Sequence, residues 1–135
     1  MSKTVTYLHI RAISARATRG VLTFGSLVVP CALGRSGRLV LKREGDGGTP
    51  VGFWLLRRIY YRGDRLIRPL SKIPASPIKG GWGWCETVGD RNYNRRVDLP
   101  YPAAHEDLKR PDHLYDIVVE TSHNQLPRIQ GRGSA

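Results

Sequence analysis

Cys85 is the side chain with the clearest potential for nucleophilic chemistry, because a thiolate activated by a nearby histidine can attack a carbonyl carbon. His105 is the histidine closest to it in the sequence. Trp82, Trp84 and Cys85 also form a small apolar cluster, which would serve equally well to hold a loop against the core. The residues favour a structural Cys85 and leave a Cys85 hydrolase as the alternative.

The other groups that could do chemistry lack the spacing that the chemistry needs. His105, Glu106, Asp112 and His113 are zinc-ligand types, but they form no HExxH or comparable pattern. The glycine-rich segment 44–50 fits neither a P-loop nor a dinucleotide fingerprint, and it lacks the regular acids of an EF-hand. We therefore expect no metal and no cofactor, and we interpret segment 44–50 as a tight connection between strands.

The charge of the chain is strongly positive and unevenly placed. The 135 residues include 22 Lys and Arg against 11 Asp and Glu, a net charge of +11, and no acid precedes Glu44. Such a bias favours anionic partners. The segment 57–62 interleaves arginines with tyrosines, as nucleic-acid-binding surfaces do, although a half-buried strand would show the same pattern. A non-enzymatic β module that binds an anionic polymer, such as cell wall or nucleic acid, is therefore one candidate function.

The elements that must position these residues are predicted to be short strands. The length suits one domain, residues 1–135, and no apolar run is long enough to span a membrane. Apolar and polar residues alternate near the start, and Gly25-Ser26 between two apolar runs predicts a hairpin with a type II′ turn. Further strands are expected at 38–41, 52–61 and 114–120. The composition of residues 62–111 predicts a long loop, with helical character only at 103–109.

Several segments, in order along nearly the whole chain, resemble the short bacterial branch of the YkuD-type L,D-transpeptidases. The first is residues 42–52, KREGDGGTPVG, which is similar to the TPxG-containing segment of that family. The resemblance continues through residues 84–85, 90–95, 99–103, 105–106, 112–119 and 131–135. It implies a mainly β fold, a mixed β-sandwich or partly open barrel with a long loop insertion and little helix, incomplete at its C-terminal end.

The resemblance also implies an activity. In the family, a Cys nucleophile attacks the L,D-peptide bond of a peptidoglycan tetrapeptide stem, forms a thioester and releases the terminal D-Ala, and an acceptor amine then resolves the thioester. The family's His base follows the GRGSA-like segment 131–135, and its Cys lies further on, so both are expected beyond Ala135. The resemblance therefore assigns no catalytic residue to this sequence, and we expect the 135 residues alone to be inactive.

The same resemblance suggests how a stem peptide would be held. The guanidinium groups of arginines can bind the carboxylates of the stem through charge-assisted hydrogen bonds. Segment 62–111 would form a lid over the acyl-enzyme. The expected substrate-binding residues are Arg43, Asn94, Arg95, His105 and Tyr115, with Arg91 and Arg96 as further contributors. Pairing of these arginines with Asp90 or Asp98 at the surface is the alternative. The expected partners are peptidoglycan stem peptides, with no specific nucleic acid.

Localisation is predicted differently by the residues and by the resemblance. The alternation of Leu8, Ile10 and Ala12 indicates a strand rather than a transit peptide, and no secretory signal is recognisable, which favours the cytoplasm. The resemblance instead implies the periplasm or cell envelope.

Overall fold

The described residues form eleven short β-strands and no helix, which confirms the prediction of a mainly β fold. A computed structural model of the chain describes residues 6–134. The strands are β1 (His9–Ala12), β2 (Arg19–Phe24), β3 (Leu27–Ala32), β4 (Arg38–Leu39), β5 (Thr49–Pro50), β6 (Leu56–Tyr61), β7 (Ala75–Pro77), β8 (Trp82–Cys85), β9 (Arg96–Asp98), β10 (His105–Asp107) and β11 (Ile117–Thr121). They make four small sheets, and no closed barrel occurs among these residues.

The chain divides into two compact units, one ending at Gly52 and the other beginning at Phe53. Compact units of this size can belong to one domain. The assignment of residues 1–135 to a single domain therefore stays a prediction.

One expectation concerns the last residue of the sequence. The resemblance to the L,D-transpeptidases places the family's His and Cys beyond Ala135, and Ala135 itself lies outside the described residues. The structure therefore does not test that expectation, which stays a prediction.

The first unit is built on an antiparallel sheet in which β2 lies between β1 and β3. Phe24 pairs with Leu27 across a two-residue connection, so the predicted hairpin is confirmed. Gly25 has a φ of 56°, the positive value that the first position of a type II′ turn requires. In the same unit, β4 and β5 pair in parallel and are joined by the glycine-rich segment.

The second unit contains two three-stranded sheets, with strand orders β11-β6-β7 and β10-β8-β9. Tyr60 of β6 is buried with Ile78 and Leu108, and partly buried aromatic side chains pack against this cluster. The rings of Tyr60 and Trp82 meet edge to face, with centroids 5.9 Å apart. The two sheets are thus joined through an aromatic contact, a geometry that aromatic pairs prefer.

Two expectations for the middle of the chain differ from the structure. Segment 62–111 is predicted as a long loop but contains β7, β8, β9 and β10. The helix predicted at 103–109 is wrong, because His105–Asp107 pairs with β8 in antiparallel register. Three-residue strands carry too few side chains to display a period of two, and their backbone pairing with distant strands outweighs local propensity. The role of the segment as a lid stays a prediction.

Substituting Gly20 should destabilise the first unit. A Cβ at Gly20 would lie 2.5 Å from the backbone oxygen of Arg11 in the neighbouring strand, so β1 and β2 would have to separate. We expect Gly20→Ala to lower the free energy of unfolding by about 1–3 kcal/mol, the usual cost of overpacking, and to speed amide exchange in β1 to β3. Gly80→Ala is the matched control, because a Cβ there would meet nothing within 4 Å. Equal effects of both changes would contradict the prediction.

Candidate functional site

Asn94 forms a junction between two loops of the second unit. It is 2% exposed and has a φ of 54°, a left-handed conformation that asparagine tolerates better than most residues. Its Oδ1 accepts a hydrogen bond from Trp84 Nε1 at 3.0 Å, and its Nδ2 donates to the backbone oxygen of Asn124 at 3.0 Å. Its backbone NH donates to the oxygen of Cys85 at 2.9 Å. Asn94 therefore links β8 to the loop that follows β11.

The neighbours of Asn94 complete this junction. The backbone NH of Gly133 donates to the hydroxyl oxygen of buried Tyr93 at 2.7 Å. Asn124, also at positive φ, bonds through its amide to the backbone of Ile129 and Gly133. We call Tyr93, Asn94, Asn124 and Gly133 the Asn94 junction. It joins segment 90–95 to segment 131–134, two motifs that are about 40 residues apart in the sequence.

An open, arginine-rich pocket of about 260 Å³ lies beside this junction. Five guanidinium groups line it with one carboxylate, that of Glu120, and the remaining walls are aromatic or amide side chains. The lining residues are Arg57, Arg58, Tyr60, Trp84, Arg95, Arg96, Glu120, Gln125 and Arg128. We call this the arginine pocket. An opening of this size and charge suits a small anionic group.

The local structure of β6 explains how two successive arginines reach the pocket. In an unbroken strand, neighbouring side chains point to opposite faces of the sheet. Glu120 pairs with Arg58 and Thr121 pairs with Leu56, so the register shifts at this point and Arg57 has no partner residue on β11. A β-bulge of this kind redirects a side chain. It accounts for Arg57 and Arg58 both lining the pocket.

The positions of Cys85 and His105 test the alternative of a Cys85 hydrolase. The two residues are directly paired between β8 and β10, so the fold does bring them together. Cys85 is 0% exposed, however, and burial raises the pKa of its thiol, with the Asp90 carboxylate adding to the effect. His105 Nδ1 lies 2.8 Å from the backbone oxygen of Ala103. A buried thiol with a raised pKa next to a carboxylate is the reverse of an activated nucleophile, so the geometry favours a structural Cys85.

Asp90 holds the turn that precedes the junction. Its Oδ1 accepts hydrogen bonds from the Tyr101 hydroxyl at 2.6 Å and from the backbone NH of Asn92 at 2.7 Å. These two bonds lower the pKa of the Asp90 carboxyl. Asp90 is therefore a structural anion, and it forms no ion pair with Arg91 among the described residues.

The four expected substrate-binding residues of the second unit, Asn94, Arg95, His105 and Tyr115, do not form one cluster. Arg95 lines the arginine pocket, and Asn94 supports it from the buried junction. Tyr115 instead donates a hydrogen bond to Glu106 Oε2 at 2.7 Å, and burial followed by this contact raises its pKa to about 12. Half-buried His105 is paired with Cys85 in the sheet. Arg43 belongs to the first unit. Their substrate-binding role stays a prediction.

Asp46 organises the glycine-rich segment of the first unit. Its carboxylate bonds Lys42 Nζ at 2.7 Å and accepts the backbone NH groups of Arg43 and Gly48 at 2.6 and 2.9 Å. The hydroxyl of Ser36 also donates to its backbone oxygen. Partial burial raises the pKa of Asp46, but the bonds from Lys42, Arg43 and Gly48 to its carboxylate outweigh this effect and lower the pKa to about 2. The segment is a tight connection between β4 and β5, as its composition predicts.

Sequence reasoning names Arg57 and Arg58 only within the candidate nucleic-acid-binding segment 57–62, and it misses Glu120, Gln125 and Arg128 of the arginine pocket. Arg128 is half-buried and donates from Nη2 to Gln125 Oε1 at 2.7 Å. Burial, together with the charges of Arg95 and Arg57, lowers its pKa. The signal for Arg57 is the interleaving of arginines with tyrosines in this segment. Nothing in the sequence indicates that Arg128 approaches Arg57. The two residues are 71 positions apart and come together only through the loop after β11.

Comparison with family models, with characterised proteins and with solved structures gives no match for this chain. The resemblance to the L,D-transpeptidases consequently rests on the motifs alone. Within residues 6–134, no helix is long and apolar enough to cross a membrane. In the same residues, no three His, Cys, Asp or Glu side chains lie close enough to hold a metal ion.

The burial of Cys85 should make its thiol unreactive in the folded protein. In the folded protein at neutral pH, we expect neither iodoacetamide nor a carbapenem, used as a thiol-acylating probe, to modify Cys85. After denaturation, we expect iodoacetamide to modify it. The measurement is intact mass followed by peptide mapping. Half-buried Cys31 is the internal control for reagent activity in the first unit. A carbapenem adduct on native Cys85, lost in Cys85→Ser, would instead support the Cys85 hydrolase.

Neutralising Asp46 should weaken the first unit in a pH-dependent way. Because the folded pKa of Asp46 is depressed to about 2 from an ordinary 3.8, its stabilisation is complete above about pH 4 and is lost as the pH falls toward 2. We expect Asp46→Asn to lower the free energy of unfolding at pH 7 by about 1 kcal/mol. The difference from wild type should shrink toward pH 2 in denaturant titrations. A difference that does not change with pH would contradict this account.

Proposed function

We propose that this chain is a YkuD-type L,D-transpeptidase domain that acts on peptidoglycan tetrapeptide stems in the bacterial cell envelope. The observation that carries the proposal is the hydrogen bond between Gly133 and Tyr93, with Asn94 beside it. Two family-like motifs, segments 90–95 and 131–134, are joined there although they are distant in the sequence. Motifs that are in contact can contribute residues to one site, whereas motifs scattered over the surface cannot.

The reaction that we propose is acyl transfer through a thioester. A cysteine thiolate attacks the carbonyl carbon of the L,D-peptide bond, the C–N bond breaks, and D-Ala leaves with a proton on its amine. The amine of an acceptor stem then attacks the thioester carbonyl, which forms a new peptide bond and regenerates the thiol. No residue of this sequence matches the family's Cys or His, so for these 135 residues we propose the binding and orientation of the stem.

The arginine pocket supports this role because a stem peptide carries carboxylates. Arg95 follows Asn94 directly, so the buried junction fixes the backbone from which Arg95 reaches the pocket. A guanidinium group can bond a carboxylate through two parallel N–H donors, which orients the ligand as well as attracting it. The net charge of +11 would assist encounter with the anionic wall polymer.

The same charge favours the second candidate, a non-enzymatic β module that binds an anionic polymer. Four of the five pocket arginines are exposed, and Arg96 stacks on Trp82 with its Cζ 4.0 Å from the ring centroid. Exposed arginines beside aromatic rings are typical of surfaces that bind a polyanion such as single-stranded nucleic acid. The candidates differ in salt dependence, because polymer binding releases counterions and falls steeply with ionic strength.

Removing the charge of Arg95 should weaken binding of a stem peptide. We expect Arg95→Gln to reduce the affinity for a disaccharide tetrapeptide about tenfold or more, the usual worth of a charge-assisted hydrogen bond, measured by isothermal titration. Arg68→Gln is the matched control, because exposed Arg68 lies outside the arginine pocket. Wild type should bind a tetrapeptide with amidated carboxylates at least as weakly as Arg95→Gln binds the native peptide, because amidation removes the anionic groups for all five pocket arginines.

Equal binding of the native and the amidated peptide would contradict the proposal. Tight binding to sacculi or nucleic acid, with a steep salt dependence and no preference for the tetrapeptide, would support the polymer-binding module instead.

A further inference from the structure

The arginine pocket concentrates positive charge, and none of its five arginines forms an ion pair among the described residues. Among the described residues, the guanidinium groups of Arg57, Arg58, Arg95 and Arg96 form no hydrogen bond or ion pair with another side chain, and Arg96 has only its contact with Trp82. Other arginines of the second unit behave differently. Those at positions 62, 65 and 110 are each paired with an aspartate at 2.6–2.8 Å.

Arg128 adds a half-buried charge to this group. Its Nη2 is bonded to Gln125, but its Nε is enclosed and has no partner. A buried donor without an acceptor is costly, and native structures usually satisfy such groups. The pKa of Arg128 is lowered, first by burial and then by the charges of Arg95 and Arg57. An anion between these arginines would relieve the repulsion.

Glu120 is the one acid of the pocket, and it is already held. Its Oε2 accepts a hydrogen bond from the Tyr60 hydroxyl at 3.0 Å, and it forms no ion pair within 4 Å with any described arginine. One carboxylate therefore faces five guanidinium groups. A ligand with a single negative charge would leave most of that excess uncompensated.

We infer that the arginine pocket binds a multiply charged oxyanion group, either a phosphate or a cluster of carboxylates. The fork of an arginine matches both kinds of group and can bond each through two oxygens. The volume of about 260 Å³ is small, so the group bound is compact. This inference rests on the charge and geometry of the pocket and not on the proposed function.

The two sources of such a group can be told apart with pyrophosphate and citrate, one a phosphate anion and the other a tricarboxylate. Binding of each would be measured by isothermal titration at constant ionic strength, with chloride as the background anion. Saturable binding of at least one of them with one-to-one stoichiometry is expected. Tighter binding of pyrophosphate assigns a phosphate-bearing ligand, and tighter binding of citrate assigns clustered carboxylates.

Variants then locate the binding. We expect Arg128→Gln to weaken the affinity about tenfold or more, while Arg68→Gln, the same change outside the pocket, leaves it within a factor of about two, as far as a remote surface charge reaches in buffered salt. Glu120→Gln should tighten binding, because it removes the one carboxylate among the described residues that line the pocket. Arg57→Gln and Arg58→Gln, at exposed positions, carry the test if Arg128→Gln does not fold.

Absence of binding by both anions would overturn the inference, as would equal weakening by Arg128→Gln and Arg68→Gln, which would indicate a general effect of net charge. Anion binding without recognition of the tetrapeptide would uphold this inference while the proposed function fails. The two outcomes are therefore distinguishable.

Discussion

The second unit depends on the hydrogen bonds of one buried side chain, the amide of Asn94. An amide carries both donors and an acceptor, so a single asparagine can bond a tryptophan of one sheet and the backbone of a distant loop at once. Its left-handed backbone lets the chain turn between β8 and β9 while its NH stays bonded to Cys85. Loss of this side chain would leave two half-buried groups, the Trp84 Nε1 of β8 and the backbone oxygen of Asn124, without this partner.

The position of the charges follows from that arrangement. Because the junction fixes the start of β9 and the loop after β11, Arg95 and Arg128 are held near each other and near the bulge at Arg57. Like charges repel, so the fold keeps these side chains together only because packing of the aromatic sheets outweighs the repulsion. Cys85, close by in the sequence, lies in a buried environment that suppresses its ionisation. The clustered arginines support the inferred anion binding, whereas the environment of Cys85 disfavours thiol chemistry there.

Local patterns predict some elements of this fold and fail on others for a physical reason. The hairpin at Gly25 is encoded by adjacent residues, since a two-residue turn needs only a glycine with positive φ and two flanking strands. The strands around β6 and β11 are also foreseen, although they begin later than the pattern indicates, at Leu56 and Ile117. The helix expected at 103–109 is instead β10, because backbone pairing with β8, about twenty residues earlier in the chain, decides its conformation.

The sequence by itself determined the β-rich character of the chain, its excess of positive charge and its tight glycine-rich connection. These properties depend on composition and on neighbours a few positions away. Only the tertiary structure decided that Cys85 is buried, that His105 and Tyr115 lie away from the arginine pocket's lining, and that Arg57, Glu120 and Arg128 belong to it. Burial and charge clustering are properties of residues that meet through long-range strand pairing and loop contacts, and no local pattern carries that information.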